Sequence, residues 1–153
     1  MTPRILVAGE GEGRPLALAE PLSFWGGFDA ATGCVIDRHH PDHGRRLEGC
    51  VLFLARGRGS SSGSSVLAEA IRRGTAPAAI VLGAADGIVV TGALVAAMLY
   101  GRHCPVVLLP EAGWAAFLGA PLLAVSADAA GVRMVPREPA GLPRDQSTAP
   151  VSR

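Results

Sequence analysis

CVLFLARGRGSSSGSSVLAEAIRRGTAPAAIVLG, residues 50–83, decides how this chain folds. It opens with a continuous apolar run, 50–55, of the kind found in a strand covered on both faces. Residues 64–74 follow with Val66, Leu67, Ala70 and Ile71 at helical spacing, Arg72 and Arg73 in the last turn, and Gly74 as a stop. A second apolar run, 78–83, reads as another buried strand. Strand, helix and strand make a βαβ unit, whose strands are expected to be parallel.

Working outward, residues 4–8 and 15–20 read as strands flanking a turn at Gly-Glu-Gly-Glu-Gly, 9–13. Residues 34–37 read as a short strand and 38–49 as a polar loop. Ile88–Val90 reads as extended and Gly92–Tyr100 as a short Ala-rich helix. Residues 105–109 form a further strand, 113–119 a helical turn, and LLAVSA and VRMV two more strands. The sequence therefore predicts an α/β domain: a β-rich, barrel-like N-terminal half and a half that contains the βαβ unit. Residues 1–135 form the domain, and 136–153, rich in Pro and polar residues, a disordered tail.

With 153 residues, 49% of them hydrophobic, the chain has the size of one domain. Phe24, Trp25, Phe28, Phe53, Tyr100, Trp114 and Phe117 are the expected large pieces of its core. A formal net charge of +1 and the lack of a basic, aromatic-studded stripe argue against a nucleic-acid partner. The most apolar stretch, 88–101, is shorter than the roughly 20 residues needed to span a bilayer, so no membrane association is expected. Cys34, Cys50 and Cys104 are odd in number, lie far apart and form no CxxC pair. A disulfide framework is not expected; a reducing cytoplasm is the simpler setting.

Residues 57–65, five serines and three glycines in nine positions, lie at the carboxyl end of a buried strand and lead into a helix. Ligands bind there in open α/β sheets. A helix N-terminus offers N–H groups and partial positive charge, and glycines let the backbone approach a ligand. A capped turn without chemistry fits the same residues. The turn is not a Walker phosphate loop, having no Gly-Lys-Ser/Thr, and not a nucleophile elbow.

Residues 20–44, EPLSFWGGFDAATGCVIDRHHPDHG, and the stretch from 49 onward together resemble the small, swivel-type subunit of the aconitase X family. The markers are PLSFWGG, Gly33-Cys34-Val35-Ile36-Asp37 with His40-Pro41 and Gly44 after it, the GRGS…GS turn, and Ala76-Pro77 before Ala79-Ile80. The resemblance covers residues 5–109. It implies a swivelling β/β/α domain and a dehydratase subunit. It also implies a large partner subunit, forming a heterodimer, that carries an iron–sulfur cluster and most of the substrate site. No cofactor is then bound by this chain alone, which supplies no metal ligand.

The same resemblance assigns the catalytic base to Ser60. Substrate contacts fall to its neighbours Arg58, Gly59, Ser61 and Ser62, and to Ser23, Trp25 and Gly26 in the aromatic loop. Aconitase itself has Gly-x-Gly-Ser-Ser-Arg at this turn. Here the run is Gly57-Arg58-Gly59-Ser60-Ser61-Ser62, so a carboxylate clamp is left to Arg58, Arg56 or the partner. Two substrates suit the family, cis-3-hydroxy-L-proline and 5-phosphomevalonate. The SFWGG loop and the Ala/Arg-rich composition favour the first. A non-catalytic module that binds a partner or a small anion is the alternative of another class.

A serine hydroxyl is a poor base and must act as an alkoxide held by N–H donors. A helix terminus contributes about 0.3–1 kcal/mol, up to ~2 when partly buried. At about 1.36 kcal/mol per pKa unit, that shifts a hydroxyl by roughly one unit. Several donors, a cation such as Arg58 and the partner's groups are needed together, so the isolated chain is expected to be inactive. The His-rich segment 37–43 lacks metal-site spacing and reads as a solvated loop or subunit contact, with Asp37 and His40 its best candidates for touching substrate.

Overall fold

The two apolar runs that bracket the serine-rich turn lie side by side as parallel strands, Val51–Leu54 and Ala79–Leu82. The computed structural model describes residues 2–139. In chain order these hold β1 (Arg4–Val7), β2 (Gly9–Gly13), β3 (Pro15–Ala17), α1 (Phe24–Gly27), β4 (Phe28–Asp29) and β5 (Cys34–Val35). Then come β6 (Val51–Leu54), α2 (Gly63–Arg73), β7 (Ala79–Leu82), α3 (Gly87–Tyr100) and β8 (Val106–Leu108). A 3-10 turn (Glu111–Gly113), α4 (Ala115–Leu118), β9 (Leu122–Asp128) and β10 (Gly131–Arg137) complete the order.

One five-stranded sheet has the order β1-β8-β7-β6-β3, and a three-stranded sheet the order β10-β9-β2. β3, β6, β7 and β8 run parallel; β1 joins β8 antiparallel. The side chains of β6 and β7 alternate between two separate cores. Leu52, Leu54, Ile80 and Leu82 pack with Leu67, Ala70, Ile71 and Ala93 of α2 and α3. Val51, Phe53, Ala79 and Val81 pack with Leu123, Val125 and Trp114 on the opposite face. Trp114 meets Phe53 edge to face at 5.4 Å, and its indole N–H donates to the Leu109 carbonyl at 2.7 Å. The layers are thus helices, mixed sheet and antiparallel sheet, the β/β/α arrangement expected.

The expected barrel-like N-terminal half is corrected. No closed barrel exists among the described residues: β1 and β3 join the sheet of the βαβ unit, and β2 crosses to the other sheet. The expected strand at 15–20 is limited to Pro15–Ala17.

The Gly-Glu-Gly-Glu-Gly segment is a strand, not a turn. It pairs with β9, Gly11 opposite Val125 and Gly13 opposite Leu123. Its glycines face the neighbouring sheet with no room for a side chain: a Cβ on Gly11 would strike the Ala78 carbonyl oxygen, and one on Gly13 that of Gly49. Glu10 and Glu12 point to solvent. The run therefore has the period of two proper to a strand, hidden because its inner members carry no side chain.

The expected break inside residues 87–100 is also absent. α3 is one helix because Asp86 caps it, accepting from the amides of Ile88 (2.8 Å) and Val89 (3.0 Å). It also packs closely on α2, where Gly92 leaves no room for a Cβ beside the Ser64 carbonyl and Leu67. α2 ends as expected, with Gly74 left-handed at φ 80°. No helix among the described residues is long and apolar enough to cross a membrane. β10 extends to Arg137, into the segment expected as tail; residues 140–153 lie outside the described residues.

Gly11→Ala is expected to push β2 off β7 and to destabilise the chain by about 1–3 kcal/mol, the usual cost of overpacking. A urea titration that shows no change would contradict the close approach.

Candidate functional site

The turn between β6 and α2 is held by its own glycines. Gly57 forms a parallel bridge with Leu22, and the Arg58 amide donates to the Leu22 carbonyl at 3.3 Å. The turn and the aromatic loop, 35 residues apart in sequence from Leu22 to Gly57, thereby meet in space at Leu22 and Ser23.

 Gly59, left-handed at φ 98°, has no space for a Cβ because Ser23 Oγ lies against it. A Cβ on Gly57 would strike the Asp86 carboxylate. One at Gly63 would sit tight against Ile88 and in ordinary contact with the backbone at Trp25. Three segments, 22–26, 57–64 and 86–92, are locked together at the carboxyl ends of β6 and β7.

Ser60 stands at this junction and is exposed, as are Arg58, Gly59, Ser61 and Ser62. Its Oγ accepts from the Ser62 amide at 3.2 Å, and its carbonyl accepts from the Gly63 amide at 2.9 Å. Ser62 occupies the N-cap position without a side-chain capping bond. Among the described residues, the amides of Gly59, Ser60 and Ser61 have no protein acceptor, so they are available to an anion at the mouth of α2. Arg58 lies 3.9 Å from Asp37, which offsets part of its charge and ties the turn to the family-marker segment 33–37. Arg56 is exposed.

Of the residues in the aromatic loop, Ser23 is half-buried and donates its hydroxyl to the Trp25 carbonyl at 2.9 Å. Gly26 is exposed and left-handed at φ 76°. Trp25 is 58% exposed, which corrects its expected place in the core. Tyr100 is also exposed, while Phe24, Phe28, Phe53 and Trp114 are buried. The two aromatics of the loop are divided between tasks: Phe24 packs edge to face on Phe28, and Trp25 stands outside.

The His-rich loop is not simply solvated. His40 is buried; its Nε2 donates to the Glu20 carbonyl at 3.1 Å and its Nδ1 accepts from the Asp42 amide at 3.0 Å. Asp42 in turn accepts from the Ala19 amide at 2.9 Å and from Arg45 at 3.2 Å. These bonds pin the loop to the segment that leads into the aromatic turn. Asp37, by contrast, reaches Arg58 at the site's edge.

Asp86 is the residue that sequence reasoning missed. With Ser61, Ser64, Gly87, Ile88 and Thr91 it lines an open cleft of about 620 Å³ beside the serine turn. One carboxylate oxygen caps α3, and the other lies over Gly57. The Asp-Gly pair before an apolar helix was the available signal.

Among the described residues no three His, Cys, Asp or Glu side chains gather into a metal site. Burial pushes the thiols of Cys50 and Cys104 up to about 12. The donor groups among the described residues, with the three cysteines apart, do not by themselves form the ligand set of an iron–sulfur cluster.

Residues 1–134 match the family model described as the aconitase X swivel domain. A cis-3-hydroxy-L-proline dehydratase of Pseudomonas aeruginosa is 51% identical over 111 residues, 72% of this chain and 19% of that protein. A phosphomevalonate dehydratase small subunit of Methanothermobacter thermautotrophicus is 47% identical over 93 residues, 61% of this chain and 71% of that protein. The chain thus spans about a fifth of the length of the first relative. The crystal structure of Thermococcus kodakaraensis aconitase X in its holo-form superposes with a TM-score of 0.70 at 32% identity, covering 88% of this chain and 96% of that one.

Two outcomes are expected. Asp86→Asn keeps the cap and leaves stability unchanged, whereas Asp86→Ala costs about 1 kcal/mol in a urea titration. A thiol reagent followed by mass spectrometry labels half-buried Cys34 in the native chain, and Cys50 and Cys104 only on unfolding; rapid labelling of all three would contradict the burial.

Proposed function

The chain belongs to the aconitase X swivel-domain family, and on that footing we propose that it is the small subunit of a dehydratase acting on a small hydroxy acid, foremost cis-3-hydroxy-L-proline. The observation that carries this reading is the exposed Ser60 hydroxyl, which accepts an N–H bond at the mouth of α2 where three chain segments meet. The substrate choice rests on the 51% identity to a cis-3-hydroxy-L-proline dehydratase.

In this reading Ser60, as an alkoxide, takes the proton from the carbon beside the substrate carboxylate. The electron pair left behind forms a carbon–carbon double bond, and the bond to the neighbouring hydroxyl breaks. Hydroxide departs, and the proton held by Ser60 completes a water molecule. The cyclic enamine that results tautomerises to an imine. The Ser62 amide already points at Ser60 Oγ and stabilises its charged form. The free amides of residues 59–61 and Arg58 receive the substrate carboxylate. Trp25 and Gly26 cover the substrate from the aromatic loop. This reading assigns the iron–sulfur cluster to a large subunit; among the described residues no three His, Cys, Asp or Glu side chains gather to hold one.

The turn is open to solvent, and one amide donor cannot keep a serine ionised. The site therefore needs a second polypeptide to exclude water and complete the field.

The experiment is reconstitution with an aconitase X large subunit and assay of cis-3-hydroxy-L-proline and 5-phosphomevalonate. The complex is expected to dehydrate the first and the chain alone neither. Ser60→Ala is expected to lower kcat by about 10³-fold or more with assembly intact. Turnover by the isolated chain, or a Ser60→Ala complex of undiminished rate, would remove Ser60 from its role. A complex that assembles but dehydrates nothing favours a binding module instead.

A further inference from the structure

α3 carries no charged residue from Gly87 to Tyr100. A helix that is apolar all round belongs in an interior, yet this one covers the domain on one side only. Val89, Gly92, Ala93 and Ala96 face the core. On the opposite side, at helical spacing i, i+4, i+7 and i+11, stand Gly87, Thr91, Leu94 and Met98. Met98 is 83% exposed, Leu99 beside it 68% and Leu94 43%. At 1.5 Å per residue the stripe runs roughly 16 Å. Its first two members, Gly87 and Thr91, also line the cleft beside the serine turn.

We infer that this stripe of α3 is the surface on which the large subunit seats, an inference that rests on the dehydratase reading above. Three observations choose this occupant. The stripe is continuous with the cleft through Gly87 and Thr91, so a partner that covers its whole length also reaches the cleft. A second copy of the chain would bring only another open cleft. In the 51%-identical relative, the matched region is 19% of the length, so most of that protein is available to cover this face. The lack of charge and the prominent Met suit the core of a protein interface, where charged residues are depleted and Met is enriched.

The test measures binding of the full chain to a purified aconitase X large subunit by calorimetry, with the free chain checked for folding by circular dichroism and for mass by light scattering. Met98→Glu and Leu94→Lys each leave the free chain folded, because both positions are exposed, and weaken binding at least tenfold. Val135→Glu, an apolar position on β10 about as exposed as Leu94, leaves binding unchanged. At saturating large subunit, Met98→Glu restores the wild-type kcat, since Met98 touches no substrate. If wild type binds and both α3 variants bind as tightly, the inference fails while the dehydratase reading stands. If wild type binds no large subunit, both fail. If the free chain is a dimer that Met98→Glu turns into monomer with large-subunit binding intact, a second copy covers the face and the inference is overturned.

Discussion

The site depends on two places where a backbone has no room for a side chain, and a third where the fit is tight. Gly57 sits against Asp86, Gly59 against Ser23, and Gly63 against Ile88 and the backbone at Trp25. Each contact joins the serine turn to a different part of the chain or to a second point on the same part. With its glycines turned inward, the turn presents its serines outward, and Ser60 becomes the exposed crest. A methyl group at Gly57 or Gly59 would have to displace a carboxylate or a hydroxyl, and the crest would move with it.

What holds the turn from below is the two-sided burial of β6 and β7. Alternate residues of these strands enter different cores, one under the helices and one under the antiparallel sheet. A strand gripped from both faces cannot slide by one residue without exchanging its two cores. The loop at its end therefore inherits a fixed height and direction, and His40 and Asp42 fix the neighbouring segment through bonds to Glu20 and Ala19.

The parts legible in the sequence are those where side chains display the period of their element. α2 shows its apolar face, its terminal arginines and its glycine stop; β6 and β7 show unbroken apolar runs. β2 is illegible because the inward half of its pattern is glycine, which also marks turns. α3 misleads because Ile88, Val89 and Val90 are β-branched, while its capping Asp86 and its packing on α2 outweigh that preference. Trp25 and Tyr100 mislead because hydrophobic character does not say which side of a loop or helix end is covered. Of the candidate site, Ser60, Gly59 and Ser23 meet in space, while Asp86 comes from a turn beyond the next strand, and no local spacing links it to the serines.

Among the described residues, β2 and β10 form the two rims of the antiparallel sheet, where peptide groups without a strand partner invite a strand from another molecule. Glu10 and Glu12 guard one rim, and Arg133 and Arg137 the other, with Arg137 reaching across β9 to within 3.6 Å of Glu12. An incoming strand would have to strip water from a row of charges before its first hydrogen bond formed. Stacking of copies into fibres through this layer is thereby discouraged, even while the opposite side of the molecule remains sticky.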